Sequence, residues 1–82
     1  MDLNSIIELM QSSDYKDRFR AEYWQLKIRI EKLEKMLCEW EEGSISFEPT
    51  CPYEVLASQL SGMRAYMHML RIRARLENIN IE

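Results

Sequence analysis

Apolar residues recur every three or four positions along two stretches of this chain, with polar residues filling the gaps. In the first stretch they are Phe19, Tyr23, Leu26, Ile30, Leu33, Leu37 and Trp40. In the second they are Leu56, Leu60, Met63, Met67, Leu70 and Ala74. This spacing places each set in one stripe along a helix, and we call the two stripes the seams. The pattern therefore predicts two long helices, over about residues 14–42 and 53–77.

The remaining pattern predicts a short helix and one loop. Ile6, Ile7, Leu9 and Met10 indicate a helix over about residues 3–11. Gly43, Pro49 and Pro52 lie close together, so residues 43–52 are predicted to form a loop. Two seams of similar length joined by a loop are typical of an antiparallel helical hairpin. The predicted fold is all-α: residues 1–82 form a single helical domain with a short N-terminal helix followed by a long antiparallel helical hairpin.

Several apolar residues lie outside the seams, and the short first helix is too small to cover them. They are Trp24, Ile28, Met36, Tyr53, Tyr66, Met69, Ile72 and Leu76. A chain of 82 residues is also small for a self-sufficient core. We therefore expect a symmetric homo-oligomer. The tail, residues 78–82, is expected to fray or to pair with a neighbouring subunit.

Composition excludes several classes of protein. The net charge is −3, which disfavours binding to DNA. No stretch is long and apolar enough for a membrane span, and the acidic start at Asp2 does not resemble a signal peptide, so a cytoplasmic protein is expected. Cys38 and Cys51 form no CxxC motif and are expected to be half-buried thiols in a reducing compartment.

No arrangement of residues suggests catalysis. The chain has one histidine, no glycine-rich phosphate loop, and no serine or cysteine with a suitably spaced general base. We therefore expect no enzyme activity, no cofactor and no metal site.

One face of the last helix is strongly basic. Arg64, His68, Arg71 and Arg75 are spaced 4, 3 and 4 residues apart, so they form one stripe on a helix, which we call the basic stripe. Between residues 56 and 76 there is no acidic residue. The stripe either pairs with the carboxylates of Glu22, Glu34 or Glu41, or binds a phosphate-bearing ligand.

Two residues of the predicted second helix are further candidates for ligand binding. Tyr15 lies at the helix start, where its ring can stack on a nucleobase. A lysine at position 32 is most often part of a solvated face, but Lys32 can still reach a phosphate.

Three stretches of the chain resemble a family of small phage proteins. They are residues 14–18 (DYKDR), 23–37 (YWQLKIRIEKLEKML) and 60–73 (LSGMRAYMHMLRIR). Many members are labelled only as proteins of crAss-like phages. The layout is also similar to the phage anti-CBASS sponges, which sequester cyclic-oligonucleotide messengers of bacterial defence without cleaving them. The resemblance implies a symmetric hexamer in the host bacterial cytoplasm.

The resemblance also implies roles for particular residues. The cyclic dinucleotide pocket of those sponges lies between protomers and uses a tyrosine and a lysine, which Tyr15 and Lys32 match. Their cyclic trinucleotide site uses an arginine and a polar residue one turn later, which Arg64 and His68 match; a histidine there departs from the family pattern. Related phage sponges bind ADP-ribose-derived messengers.

Two hypotheses remain open on the sequence. In the first, the protein is an immune-evasion sponge whose ligand-binding residues are Tyr15, Lys32, Arg64, His68, Arg71 and Arg75. Its ligand is then a cyclic dinucleotide, a cyclic trinucleotide or a messenger of the cyclic ADP-ribose type. In the second, it is a helical interaction module that docks on a host or phage protein through exposed apolar stripes. The first hypothesis requires the basic stripe to face a cavity between subunits without carboxylates, and the second places it in ion pairs or solvent.

Overall fold

Three α-helices make up the regular structure of the chain. The computed structural model describes residues 1–81, and within that range it contains α1 (Leu3–Met10), α2 (Tyr15–Glu42) and α3 (Tyr53–Leu76) and no strand. The all-α prediction is confirmed. Residues 43–52 connect α2 to α3 without regular secondary structure.

Local sequence explains where the helices begin and end. The Asp2 carboxylate accepts a hydrogen bond from the backbone N–H of Ser5 at 2.7 Å, and the Asp14 carboxylate accepts one from Lys16 at 2.9 Å. Both aspartates therefore satisfy backbone donors that have no partner in the first turn of a helix. The second helix ends at Gly43, whose φ of 75° is a left-handed conformation that glycine adopts without steric cost.

The core forms where the two seams pack against each other. Its buried members are Phe19, Tyr23, Leu26, Ile30, Leu37, Leu60, Met67, Leu70, Ala74 and Ile79. Trp40 contacts Tyr53 at one end of the helix pair, and Tyr15 contacts Arg73 at the other. Residues later in α3 thus contact residues earlier in α2. Every seam residue belongs to the core or packs against it, as the periodicity predicts.

The first helix packs on α2 and does not contact α3. Ile6 is completely buried, and Ala21 of α2 is nearly so. Leu3 and Ile7, by contrast, remain exposed. The buried side chain of Ile6 therefore marks the face of α1 that packs on α2.

The expected fraying of the C-terminal tail is wrong for residues 78–81, whereas pairing of the tail with a neighbouring subunit stays a prediction. The tail turns back at Asn78, which has a φ of 56°, and Ile79 is buried in the core. Lys16 and Arg20 of α2 donate hydrogen bonds to the backbone carbonyls of Asn78 (3.4 Å) and Asn80 (2.6 Å). These bonds satisfy tail carbonyls while Ile79 packs against the core, so the tail is part of the domain.

Truncating the tail anchor should destabilise the whole fold. Ile79→Ala should lower the free energy of unfolding by about 2 kcal/mol or more, because it removes buried apolar atoms and leaves a cavity. Urea denaturation measures the change. Ile7→Ala, which truncates an exposed isoleucine, is the control and should change stability by less than about 0.5 kcal/mol. Equal effects of the two variants would contradict the packing of the tail.

The surface of α3 that points away from the core remains apolar. Val55, Tyr66, Met69 and Leu76 are between 43% and 78% exposed. Trp24, Met36 and Tyr53, also outside the seams, instead pack against the core. None of the three helices combines the length and hydrophobicity needed to cross a bilayer. Uncovered apolar surface is thus concentrated on α3 and on α1.

Candidate functional site

The basic stripe lies along one flank of α3, beside the seam. Arg64, His68, Arg71 and Arg75 are all exposed, and each directly follows a seam residue in the sequence. Arg64 is the only stripe member that forms an ion pair with another residue of the range 1–81. The stripe is therefore open to a charged partner over most of its length.

A groove between α2 and α3, which we call the central groove, contains two members of the stripe. It has a volume of about 370 Å³ and is lined by Lys27, Ile30, Glu31, Glu34, Arg64, Met67 and Arg71. Three of these side chains are cationic and two are carboxylates. Ile30 and Met67 are buried seam residues, so they form an apolar floor beneath the charges. The groove can accept an anionic group at its rim and a flat apolar group on its floor.

The ion-pair alternative holds for Arg64. Its guanidinium lies 3.5 Å from the Glu34 carboxylate, and the two side chains are 58% and 44% exposed. An ion pair so exposed to solvent contributes at most about 1 kcal/mol, so an anionic ligand can displace it. The groove nevertheless contains Glu31 and Glu34, whereas the first hypothesis requires a cavity free of carboxylates. Within one chain, the geometry therefore satisfies part of each hypothesis.

A second groove continues the stripe towards the end of α3. Arg71, Ala74, Arg75, Ile79, Asn80 and Ile81 line it, and its volume is about 390 Å³. Because Arg71 lines both grooves, the basic surface is continuous from Arg64 to Arg75. The returning tail supplies one wall of this second groove, which the sequence pattern did not predict.

Lys27 lines the central groove, although the sequence pattern predicts only a solvated lysine at this position. Its Nζ atom lies 4.7 Å from the centre of the Trp24 ring, so a cation–π contact holds the side chain. A signal was present: Lys27 directly follows Leu26 of the seam, as Arg71 directly follows Leu70. Residues that directly follow seam positions of α2 and of α3 lie on the same side of the helix pair. Lys27 and Arg71 therefore line the same groove.

Lys32 lies apart from the basic stripe. It lines a different surface depression, of about 450 Å³, together with Arg29, Leu33, Met36, Gln59 and Met63. That depression contains two cations and a partly apolar floor. Neither the central groove nor the second groove contains Lys32, and no member of the stripe lines the depression beside Lys32.

Tyr15 contacts Arg73, a residue for which the sequence pattern predicts no role. Arg73 donates a hydrogen bond of 2.7 Å to the Tyr15 hydroxyl, and its guanidinium carbon lies 5.0 Å from the centre of the Phe19 ring. A hydrogen bond to Glu77, at 3.3 Å, raises the pKa of Arg73 above its ordinary value. Tyr15 is 46% exposed, so part of the residue remains accessible to a ligand. Arg73 is out of register with the stripe, and no sequence signal marks it.

The opposite end of the molecule is acidic. The Tyr53 hydroxyl donates a hydrogen bond to Glu41, which raises the pKa of Tyr53, and the thiol of Cys38 donates one to Glu42, which raises the pKa of Cys38. A thiol with a raised pKa is mostly protonated at neutral pH and is a poor nucleophile. Cys38 is exposed rather than half-buried, whereas Cys51 is half-buried. Within residues 1–81, no three His, Cys, Asp or Glu side chains cluster as a metal site requires.

Comparison with known proteins gives one match. The family model described as Sequestin matches residues 13–76, which include α2, the connecting loop and α3. No curated protein and no solved structure matches the chain. The matched range contains Tyr15, Lys32 and the whole basic stripe.

Proposed function

Since this chain belongs to the Sequestin family, we propose that it binds and sequesters a nucleotide second messenger without cleaving it. The messenger is a cyclic oligonucleotide or an ADP-ribose-derived nucleotide. The family name is compatible with a sequestering function. In this proposal the protein is a phage anti-CBASS sponge that acts in the host bacterial cytoplasm and evades immune signalling.

The central groove is the observation that carries the proposal. Phosphate oxygens only accept hydrogen bonds, and the guanidinium groups of Arg64 and Arg71 supply charged donors in a planar fork. Lys27 adds a third cation on the opposite wall. The apolar floor of Ile30 and Met67 suits the ribose or the base of a nucleotide. The combination favours a compact, phosphate-bearing ligand over a long nucleic acid, because the overall charge is −3.

Assembly into a symmetric homo-oligomer, a hexamer by resemblance, completes this proposal. Each subunit is then an antiparallel helical hairpin with a short N-terminal helix. Within one chain, Tyr15 and Lys32 line neither the central groove nor the second groove. Two copies can bring Tyr15 or Lys32 of one chain to the stripe of another, which supports a ligand pocket between protomers.

The proposed role of Tyr15 predicts a loss of affinity on truncation. Tyr15→Ala should weaken messenger binding by roughly 1–3 kcal/mol, or about 5- to 150-fold, because a base loses its stacking partner. Tyr15→Phe keeps the ring and loses only the hydrogen bond from Arg73, so it should bind nearly as the wild type does. Isothermal titration calorimetry compares the three proteins. Equal affinities of Tyr15→Ala and wild type would leave Tyr15 with a structural role only.

The ligand class can be tested directly. Purified protein is titrated in a calorimeter with cyclic dinucleotides, cyclic trinucleotides and cyclic ADP-ribose isomers, with the matching linear mononucleotides as controls. We expect at least one cyclic ligand to bind with a Kd below about 1 µM, or roughly −8 kcal/mol. Absence of binding across the panel would contradict the proposed function.

The exposed face of α3 favours one alternative function. Val55, Tyr66, Met69 and Leu76 form uncovered apolar surface, which is typical of a protein interaction site. A helical module that docks on a host or phage protein would use this face. Under this alternative, no messenger of the panel binds to the wild type. Leu76→Glu, which leaves the basic stripe intact, should prevent docking on the partner protein.

A further inference from the structure

The outward side of α3 carries a third regular stripe, separate from the seam and from the basic stripe. Its members, Ser58, Gly62, Ala65, Met69, Ile72 and Leu76, are spaced 4, 3, 4, 3 and 4 residues apart. We call this set the outer heptad. None of these residues belongs to the buried core: Ile72 is half-buried and the other five are exposed, and α1 does not contact α3. The first three side chains are small and the last three are large.

We propose that the outer heptad packs against the outer heptad of a second copy, with the two α3 helices antiparallel and a two-fold axis beside position 67. In this register Ser58 lies opposite Leu76 of the second copy, Gly62 opposite Ile72, and Ala65 opposite Met69. Each pair of position numbers has the same sum, so one two-fold axis generates all the contacts at once.

Side-chain size supports this register. Every small residue faces a large one, so the interface is filled evenly along its length and the two backbones approach closely at both ends. A parallel pairing would put Ser58, Gly62 and Ala65 against themselves and leave a gap. It would also crowd Met69, Ile72 and Leu76 against themselves at the other end.

Gly62 is explained by the second copy and by nothing inside the chain. A Cβ atom added at Gly62 would meet no atom within 4 Å. Glycine inside a helix is less favourable than alanine, so its presence needs a reason. The proposed pairing supplies the reason, because the side chain of Ile72 from the second copy fills the space beside Gly62.

Charge also favours the antiparallel arrangement. Within α3, Arg71, Arg73 and Arg75 lie in one half, and a parallel pair would bring each arginine close to its own copy. In the antiparallel register they lie near positions 63, 61 and 59 of the other chain, which are Met63, Ser61 and Gln59. The acidic end of one copy, with Glu41, Glu42 and Glu54, then faces the basic end of the other. Opposite charges at the rim fix the orientation of such a pair.

This inference rests on the part of the proposed function that requires self-association, and it is independent of which ligand binds. It specifies how two copies contact each other. Contacts elsewhere on the chain determine how many such pairs the whole assembly contains.

Cross-linking tests the register. Two chains of different mass, one with Ser58→Cys and one with Leu76→Cys, are prepared with Cys38→Ser and Cys51→Ser, mixed, and treated with a short bismaleimide. The mixed cross-link should exceed both self-cross-links several-fold, because in this register each of the two positions lies about 27 Å along the helix axis from its own copy. Lys35→Cys on α2 is the exposed control. Self-cross-links that equal or exceed the mixed product, or yields no higher than the control, would overturn the proposal.

A second variant tests the interface without cysteines. Gly62→Leu fills the space required by Ile72 of the second copy, so it should dissociate the pair while the helical circular dichroism is unchanged. Lys35→Leu, at an exposed position of α2 outside the proposed interface, should assemble as the wild type does. Assembly of Gly62→Leu at wild-type strength, measured by sedimentation, would overturn the pairing. If the mixed cross-link forms but no messenger binds, the proposed ligand function fails and the interface stands.

Discussion

The double substitution Arg64→Ala and Arg71→Ala should reduce messenger affinity by a hundredfold or more and leave the melting temperature nearly unchanged. Hydrogen bonds to charged groups contribute roughly 1.5–3 kcal/mol each, so the loss of two corresponds to about 3–6 kcal/mol. Folding should be insensitive because the one ion pair that is lost, between Arg64 and Glu34, is exposed to solvent. Calorimetry with the bound messenger and a thermal scan measure the two effects.

A control separates the groove from general charge. Lys35→Ala removes an exposed cation that lines none of the grooves described for residues 1–81, and it should bind the messenger as the wild type does. If the double variant binds normally but melts many degrees lower, Arg64 and Arg71 are structural residues. The interaction-module hypothesis would then be the better account.

Leu70→Ala should cause the largest loss of stability of any single truncation in α3. Leu70 is completely buried in the centre of the core, and deletion of a buried leucine side chain costs about 2–5 kcal/mol. For a domain of this size each kcal/mol lowers the melting temperature by roughly 4–8 °C, so the variant should melt at least about 10 °C below the wild type. Differential scanning calorimetry or circular dichroism measures the shift.

Leu3→Ala is the matched control for this effect. Leu3 is 67% exposed on α1, so the same chemical deletion should change stability by less than about 0.5 kcal/mol. A small effect at Leu70, or an equal effect at both positions, would contradict the packing of the two seams.

The seams were predictable because they depend on one chain segment at a time. A repeat of three and four residues reports which face of a helix is apolar, and Phe19 to Trp40 and Leu56 to Ala74 follow it closely. The tail was not predictable in this way. Burial of Ile79 depends on a left-handed turn at Asn78 and on hydrogen bonds from Lys16 and Arg20, which are about 60 residues away in the sequence.

The candidate site also contains residues that were predictable from one helix alone and residues that were not. The basic stripe was predictable because its members lie on one helix and recur at helical spacing: Arg64, His68, Arg71 and Arg75. The position of Lys27 after Leu26 indicates its flank of the helix, but its contact with the groove depends on the register between α2 and α3. The contact of Arg73 with Tyr15 depends on the same register, and no sequence signal marks it. Lys32 was predicted both as a cation that can reach a phosphate and from the resemblance. It lies in a separate depression, so its proposed role depends on a contact between copies.

Recovery of intact ligand tests the central claim of sequestration most directly. The protein is incubated with the cyclic messenger that it binds best, unbound messenger is removed by ultrafiltration, and the retained protein is heated to denature it. We predict that the filtrate before heating is depleted of messenger and that heating releases nearly all of it unchanged, as shown by chromatography and mass spectrometry. Release of linear or hydrolysed products, or no depletion before heating, would contradict the account.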